Sequence, residues 1–160
     1  MLPVLGLTAA SPAVGCAGRT LEHFKERMKG RMVYGTADRQ SERALGQSRL
    51  AHLTARQQTL ENSLRETARE VSAWGKSGDI CPDIERAALR VRLGHIVREA
   101  RNIIRDIIEA CGASAHQLDN PIQRAQRDVE TLSGHTVFDL DVSSEAYGRL
   151  LLGLPSNTPL

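Results

Sequence analysis

Apolar residues recur every three or four positions along most of the 160-residue chain, which is the spacing of one face of an α-helix. No stretch alternates apolar and polar residues over a useful length, and the dipeptides typical of β-hairpins are missing. The pattern therefore predicts an all-α protein, an up-and-down bundle of four main helices with a short extra helix at its C-terminal end. The first apolar series is Val14, Ala17, Leu21, Phe24 and Met28.

Capping residues and helix breakers set the predicted ends of the helices. Ser11 followed by Pro12 predicts the start of the first helix, and the glycine-containing segment 30–38 predicts a break after it. A short polar turn is expected at residues 139–144. The other helices are expected at about 39–74, from Pro82 or Asp83 to Cys111, from Pro121 to about Phe138, and roughly from Glu145 to Leu152. The chain is accordingly divided into an N-terminal lead (1–10), the bundle domain (11–153) and a tail (154–160).

The second and third predicted helices carry the longest apolar stripes. At about 1.5 Å per residue the second would be over about 50 Å long, so it is expected to belong to a long bundle or to project into an oligomer. His95 lies close to the broad stripe of the third helix and is expected at the edge of the core. The second stripe consists of Leu50, Leu53, Leu60, Leu64, Val71 and Trp74, with Gln57 and Ala68 on the same face. The third consists of Ile84, Ala88, Val91, Ile96, Ala100, Ile103, Ile107 and Cys111, widened by Ile104 and Ile108.

Composition and charge exclude several classes of protein. Lys plus Arg total 21 and Asp plus Glu total 19, so no strong field favours nucleic acid or a membrane surface. Aromatic residues make up 3% of the chain, too few for a platform on which bases or a flat ligand could stack. No apolar run is long enough to span a bilayer. We expect neither nucleic acid nor a membrane among the partners of this chain.

The three cysteines, Cys16, Cys81 and Cys111, are far apart in sequence. They show no CxxC pair and no spacing to histidine that is typical of metal ligands, so no metal site is predicted. Each is expected to serve as a small buried apolar residue. A chain of this length does not need disulfides, which favours a reducing compartment and hence the cytoplasm.

The residues alone give few signals of chemistry. Arg31 lies beside a glycine turn, where its planar fork could grip a phosphate, although a surface arginine is the simpler interpretation. Arg124 and Asp128 are four residues apart, so an ion pair along a helix is expected for them. No phosphate-binding loop, dinucleotide fingerprint, zinc-protease motif or nucleophile elbow is present.

One longer segment is more specific. A Gly112-Ala113 turn precedes a P-x-x-R-x-x-R-D motif that runs from Pro121 to Asp128, and His135 follows seven residues after that Asp. The segment resembles the C-terminal helical domain of the acyl-CoA dehydrogenase superfamily. Within that superfamily it is most similar to the flavin-dependent monooxygenase branch, which includes the oxygenase components of two-component aromatic hydroxylases. The resemblance extends over nearly the whole chain, including Arg31 and a glutamine near the start of the long helix.

The resemblance implies a role for two residues. His135 matches a histidine that faces flavin and substrate, and there it acts as a base toward the substrate or stabilises the flavin hydroperoxide. Arg31 matches an arginine that reaches the flavin pyrophosphate of a neighbouring subunit. The implied cofactor is reduced flavin, either FMN or FAD. The catalytic glutamate of the acyl-CoA dehydrogenases has no clear match here, which disfavours dehydrogenation.

Family enzymes also carry an N-terminal helical domain and a central β domain, which hold much of the flavin site and have no counterpart in this sequence. The expected partners are therefore further copies of the chain, in a dimer or tetramer, a chain with the missing flavin domains, and a flavin reductase. The expected function is that of the C-terminal domain of a flavin-dependent monooxygenase that oxygenates an organic, aromatic substrate. Two alternatives stay open: a non-catalytic helical module for oligomerisation or for completing a partner, and a cofactor-free enzyme that uses the bundle interior.

Overall fold

The computed structural model describes residues 2–160 and confirms the all-α bundle. Three 3₁₀ turns join the helices, at Gln40–Glu42, Ala113–His116 and Thr136–Phe138. In the described part of the chain, none of the helices combines the length and apolar character needed to cross a bilayer. The five α-helices are α1 (Leu2–Gly30), α2 (Ala44–Ser77), α3 (Asp83–Cys111), α4 (Pro121–Ser133) and α5 (Leu140–Leu151).

Helix α3 forms the centre of the bundle, because α1, α2, α4 and α5 all pack against it. Its C-terminal half buries the predicted face, which includes Ile96, Ala100, Ile103, Ile107 and Cys111. The prediction was wrong for the N-terminal half. The buried residues there are Ala87, Leu89, Leu93, Gly94 and Val97, whereas Ile84, Ala88 and Val91 remain at least partly exposed.

The physical reason is that α5 covers a side of α3 that the sequence pattern did not assign to the core. A Cβ added at Gly94 would lie only 2.8 Å from Cδ2 of Leu140. The two helices therefore approach each other through a glycine, a residue that contributes nothing to an apolar stripe.

Helix α1 begins at Leu2, nine residues before the predicted start at Ser11. Pro12 lies inside the helix and faces solvent, where it removes one backbone hydrogen bond. Ala10 and Ala13 on either side of it are fully buried, and their packing holds the helix together across the proline. The predicted seam is confirmed, because Val14, Ala17, Leu21, Phe24 and Met28 are all at most 6% exposed.

Helix α2 is 34 residues long, or about 51 Å. It begins at Ala44, after a 3₁₀ turn that replaces its predicted first turn, and ends beside Gly78, whose φ is +73°. Leu53, Gln57 and Leu60 of the predicted stripe are buried, while the remaining stripe residues are only partly buried. Thr67 is also buried and was not predicted. Its hydroxyl donates a hydrogen bond to the Ser63 carbonyl (2.7 Å), which satisfies it within the helix.

The last two helices differ from the prediction at their junction. Helix α4 ends at Ser133, before Gly134, and not at Phe138. Asp139 does not lie in a polar turn, because its carboxylate accepts hydrogen bonds from the amides of Asp141 (3.0 Å) and Val142 (3.1 Å). It is the N-cap of α5, which therefore begins five residues before the predicted Glu145.

Gly46→Ala should destabilise the fold. A Cβ at Gly46 would lie 2.5 Å from the Gln40 carbonyl oxygen, which is too close, so the backbone at Gln40 or at Gly46 would have to shift. We expect the free energy of unfolding to fall by about 1–3 kcal/mol, measured by urea denaturation. Gly75→Ala is the matched control in the same helix, because a Cβ there meets no described atom within 4 Å. It should leave the stability unchanged or raise it by up to about 1 kcal/mol. Equal effects from the two substitutions would contradict this account.

Candidate functional site

An arginine pair attaches the end of α1 to the C-terminal end of α3: Arg27 lies in the last turn of α1, and Arg31 follows directly after the helix. Nη2 of Arg27 donates to the Cys111 carbonyl (3.1 Å) and to the Ser114 hydroxyl (2.6 Å). Nη1 of Arg31 donates to the same carbonyl. The last carbonyls of a helix have no partners within the helix and carry partial negative charge, so two guanidinium groups are favourable there. Burial raises the pKa of the Cys111 thiol, and the charges of the arginine pair offset this only in part.

Gly112 shapes the turn beside the arginine pair. Its φ is +68°, and its amide donates to the Ile108 carbonyl (3.0 Å), so the helix ends in a glycine as the sequence predicts. A Cβ at this position would lie 3.7 Å from Nη2 of Arg31. The guanidinium of Arg31 therefore lies directly beside the Gly112 backbone.

Asn120 connects this turn to α4. Its Oδ1 accepts from the Ile122 amide (2.9 Å), which confirms the predicted N-cap before Pro121. Its Nδ2 donates to the Ser114 carbonyl (2.9 Å). The same residue thus starts α4 and fixes the turn that contacts Arg27.

Exposed apolar side chains follow Arg31 in the chain and occur again in the turn before α4. Tyr34 is 100% exposed, Leu118 is 81% exposed and Met32 is 51% exposed. Among the described residues, the guanidinium of Arg31 makes its hydrogen bond through Nη1 alone, so its other edge can donate to a group outside the chain. The arrangement suits an anion that is held partly by another protein surface.

His135 lies at the other end of α4 and is exposed. Its Nδ1 accepts a hydrogen bond from the Val137 amide (3.2 Å), so the side chain is the N-cap of the turn Thr136–Phe138. With Nδ1 used as an acceptor, the proton of the neutral ring is on Nε2. Glu130 accepts from Arg105 (2.5 Å) and holds this end of α4 against α3. The hydrogen bond from Val137 directs the Nε2–H of the imidazole away from the turn.

The structure does not bring the two predicted site residues together. Arg31 lies where α4 begins, and His135 lies just beyond its end. The 13 residues of α4 separate them by about 20 Å. A single compact ligand cannot contact both residues of one chain.

The other residues that the sequence analysis singled out form structural contacts or are exposed to solvent, and none of them adds to a site. Arg124 and Asp128 form the expected ion pair along α4 (3.8 Å), and both are largely exposed. His95 was expected at the edge of the core, but it is exposed. Cys111 is buried as predicted, but Cys16 and Cys81 are only partly buried, so the prediction was wrong for these two. Their partial burial still raises the pKa of both thiols, which keeps them protonated near neutral pH. Residues 2–160 hold no cluster of three or more His, Cys, Asp or Glu that could bind a metal.

A groove between α2 and α3 was not predicted from the sequence. It has a volume of about 420 Å³, and its floor is apolar. The signal that could have found it is a row of small residues at intervals of four on α2. That row, on the side away from the core, consists of Ala51, Ala55, Thr59 and Ser63.

Comparison with known proteins gives one family and several relatives. Residues 7–140 match the family described as "Acyl-CoA dehydrogenase, C-terminal domain". The chain is 27% identical over 159 residues to a pigment production hydroxylase from a Rhodococcus species, covering 99% of this chain and 41% of the hydroxylase.

Solved structures share the fold. XiaF from a Streptomyces species, described in complex with FADH2 and glycerol, superposes with a TM-score of 0.91 at 22% identity, over 99% of this chain and 40% of XiaF. The HsaA monooxygenase from M. tuberculosis gives 0.83 at 23% identity, over 98% of this chain and 40% of HsaA. The chain thus spans about two fifths of the length of the proteins that it matches.

Asn120→Ala should loosen the turn between α3 and α4, because it removes the N-cap of α4 and the hydrogen bond to Ser114. We expect the free energy of unfolding to fall by at least about 1 kcal/mol, measured by urea denaturation. Asn62→Ala, at an exposed position of α2, is the matched control and should change it by less than about 0.5 kcal/mol. Equal stabilities for the two variants would show that the cap contributes nothing.

Proposed function

This chain belongs to the acyl-CoA dehydrogenase C-terminal domain family, and from that premise we propose that it is the C-terminal helical domain of a flavin-dependent monooxygenase. The hydroxylase relative supports this proposal because it aligns over 99% of the chain. The fold shared with XiaF, which is described with FADH2, is consistent with flavin as the cofactor. The substrate would be an organic compound, and we propose an aromatic one.

The observation that carries the proposal is the orientation of His135. The Val137 amide donates to Nδ1, so the Nε2–H is left to donate a hydrogen bond to an oxygen of the substrate or of the cofactor. The capping hydrogen bond would keep the ring in this tautomer, which favours stabilisation of a bound oxygen over action as a base.

The residues around Arg31 fit the phosphate part of a flavin nucleotide. Arg31 offers a second edge of its guanidinium, and the backbone of Gly112 lies beside it. These two residues would hold the phosphate of FMN or the pyrophosphate of FAD. Bound reduced flavin would supply the activation of O₂, which no side chain of this chain can provide.

The separation of about 20 Å between Arg31 and His135 supports an assembly in which one chain serves two flavin sites. Arg31 would reach the flavin of a neighbouring subunit, while His135 would face a different flavin and its substrate. The exposed Tyr34 and Met32 would be covered by a chain that carries the flavin domains. A separate flavin reductase would deliver the reduced cofactor.

The second candidate is a helical module that associates without performing chemistry. The open position of Arg31 and His135, at opposite ends of α4, favours it, because neither residue is enclosed by this chain alone. Titration with flavin in the presence of a partner that carries the flavin domains separates the two candidates. The non-catalytic module predicts no saturable binding.

Replacing His135 separates its chemical role from its structural role. In the assembly with the flavin-domain partner, His135→Asn should lower the rate of substrate oxygenation at least about 100-fold, because the imidazole is lost. The Asn oxygen can still accept from the Val137 amide, so the melting temperature should stay within about one or two degrees. His135→Ala should lose both the activity and the cap.

The control for this experiment is His23→Ala on α1, which should keep full turnover. An Asn variant that oxygenates substrate at the normal rate would contradict a catalytic role for His135.

Arg31→Ala should weaken flavin binding by the same assembly about tenfold or more, because a charged hydrogen bond to phosphate is lost. Fluorescence titration with FMN and with FAD measures the effect and shows which cofactor is preferred. Arg39→Ala in the same turn is the control, since its guanidinium donates to the Lys29 carbonyl (3.3 Å) and not to the end of α3. Unchanged affinity in the Arg31 variant would remove this residue from the cofactor site.

A further inference from the structure

The C-terminal tail (residues 154–160) folds back along α5. Nε of Arg149 donates a hydrogen bond to the Pro155 carbonyl (2.9 Å). Nδ2 of Asn157 donates to a carboxylate oxygen of Glu145 (2.7 Å), one turn earlier in the same helix. The tail therefore runs antiparallel to α5 and brings its last residues back towards the 3₁₀ turn that precedes this helix.

Arg90 of α3 joins the tail to that turn. Its Nη1 donates to the Pro159 carbonyl (2.9 Å), and its Nη2 donates to the Thr136 carbonyl (3.4 Å). The second hydrogen bond is long, but a charged donor strengthens it, and the first one fixes the position of the guanidinium. A single side chain thus holds the tail and the turn together.

The residues beside Arg90 pack closely against one another. Leu160 of the tail and Val137 of the turn line one small cavity together with Gly6 and Leu93. The cavity has a volume of about 10 Å³, which is too small for a ligand. A Cβ at Gly6 would lie 3.6 Å from Cγ1 of Val137, so α1 also approaches the turn closely. Apolar packing therefore supports the turn that Arg90 holds.

The hydrogen bond from Arg90 acts on the same peptide unit as His135. The Thr136 carbonyl and the Val137 amide belong to one peptide bond, which is planar and trans. That amide donates to Nδ1 of His135 (3.2 Å). Arg90 therefore holds one side of the peptide unit while His135 accepts from the other. A cation at the carbonyl polarises the unit and strengthens its N–H as a donor.

We propose that Arg90 is a positioning residue for His135 and acts through the Thr136–Val137 peptide unit. It keeps the amide directed at Nδ1, and so keeps the imidazole in the tautomer that carries its proton on Nε2. The tail contributes by holding the guanidinium in place. The consequence for turnover rests on the proposed function, whereas the effect on the tautomer needs no flavin and is measured on this chain alone.

Replacing Arg90 by methionine tests the proposal, because Arg90→Met keeps an unbranched side chain beside the cavity and removes the donors. We expect the Val137 amide to exchange with solvent deuterium at least about tenfold faster, since a charged hydrogen bond no longer holds the peptide unit. Nitrogen NMR at about pH 9, where imidazole groups are neutral, reports the tautomer. The Nδ1 and Nε2 signals of His135, assigned by their loss in His135→Asn, should move towards each other as the second tautomer becomes populated.

Arg86→Met is the matched control. Arg86 lines the same cavity, but its guanidinium pairs with Asp83 and not with the turn, so both readouts should stay as in the wild-type chain. Arg90→Lys should fall between wild type and Arg90→Met, because its ammonium keeps the charge without the fork that reaches both carbonyls. Removal of Pro159 and Leu160 should shift both readouts in the same direction as Arg90→Met, and unchanged readouts would exclude the tail from this role.

Wild-type amide exchange and imidazole signals in Arg90→Met would overturn the proposal, and so would equal changes in Arg86→Met. In the assembly with the flavin-domain partner, Arg90→Met should also lower kcat about tenfold with little change in KM, because the donor on Nε2 is less often in place. Normal turnover of His135→Asn, together with a tautomer that depends on Arg90, would contradict the proposed function and leave the positioning role intact.

Discussion

The structure depends on the burial of α3 on several sides at once. Ile103, Ile104 and Ile107 are all fully buried, and each contributes on the order of 1.5–3 kcal/mol when removed from water. A helix in this position needs apolar residues around most of its circumference, with glycine where a neighbour comes closest. Gly94 meets that need against Leu140. The other four helices take their places by packing against this one.

The C-terminal end of α3 needs hydrogen-bond donors, because the last carbonyls of a helix have no partners within the helix. The arginine pair supplies donors there, since both guanidinium groups donate to the Cys111 carbonyl. The same two hydrogen bonds attach the last turn of α1 and the residue that follows it to the turn at Gly112. The candidate phosphate site is therefore formed by the same residues that stabilise the end of the central helix. Arg31 donates to the helix end through Nη1, and its other edge can donate to a ligand.

The two candidate sites and the groove occupy different parts of one rigid frame. Helix α4 fixes the separation between Arg31 and His135, and α2 with α3 forms the groove. Such a frame supports chemistry only when other protein surfaces complete it. The proposed function has this requirement, because it needs groups that a single copy of this chain does not supply.

The sequence by itself determined the features that depend on neighbouring residues. The bounds of α3, the C-terminal glycine at Gly112 and the cap at Asn120 were all predicted, because breakers and caps act within a few residues. The all-α class followed from the apolar spacing for the same reason. The family-specific motif in and after α4 was also readable, and it indicated His135.

Only the tertiary structure decided the features that depend on distant packing. The sequence predicts a helix start at Ser11 and Pro12, but buried alanines on both sides of the proline continue α1 through it. The N-terminal face of α3 was misassigned because α5, which covers it, is joined to it through residues far along the chain. The separation of Arg31 from His135, and the groove between α2 and α3, likewise arise from how the helices lie against one another, which no local pattern records.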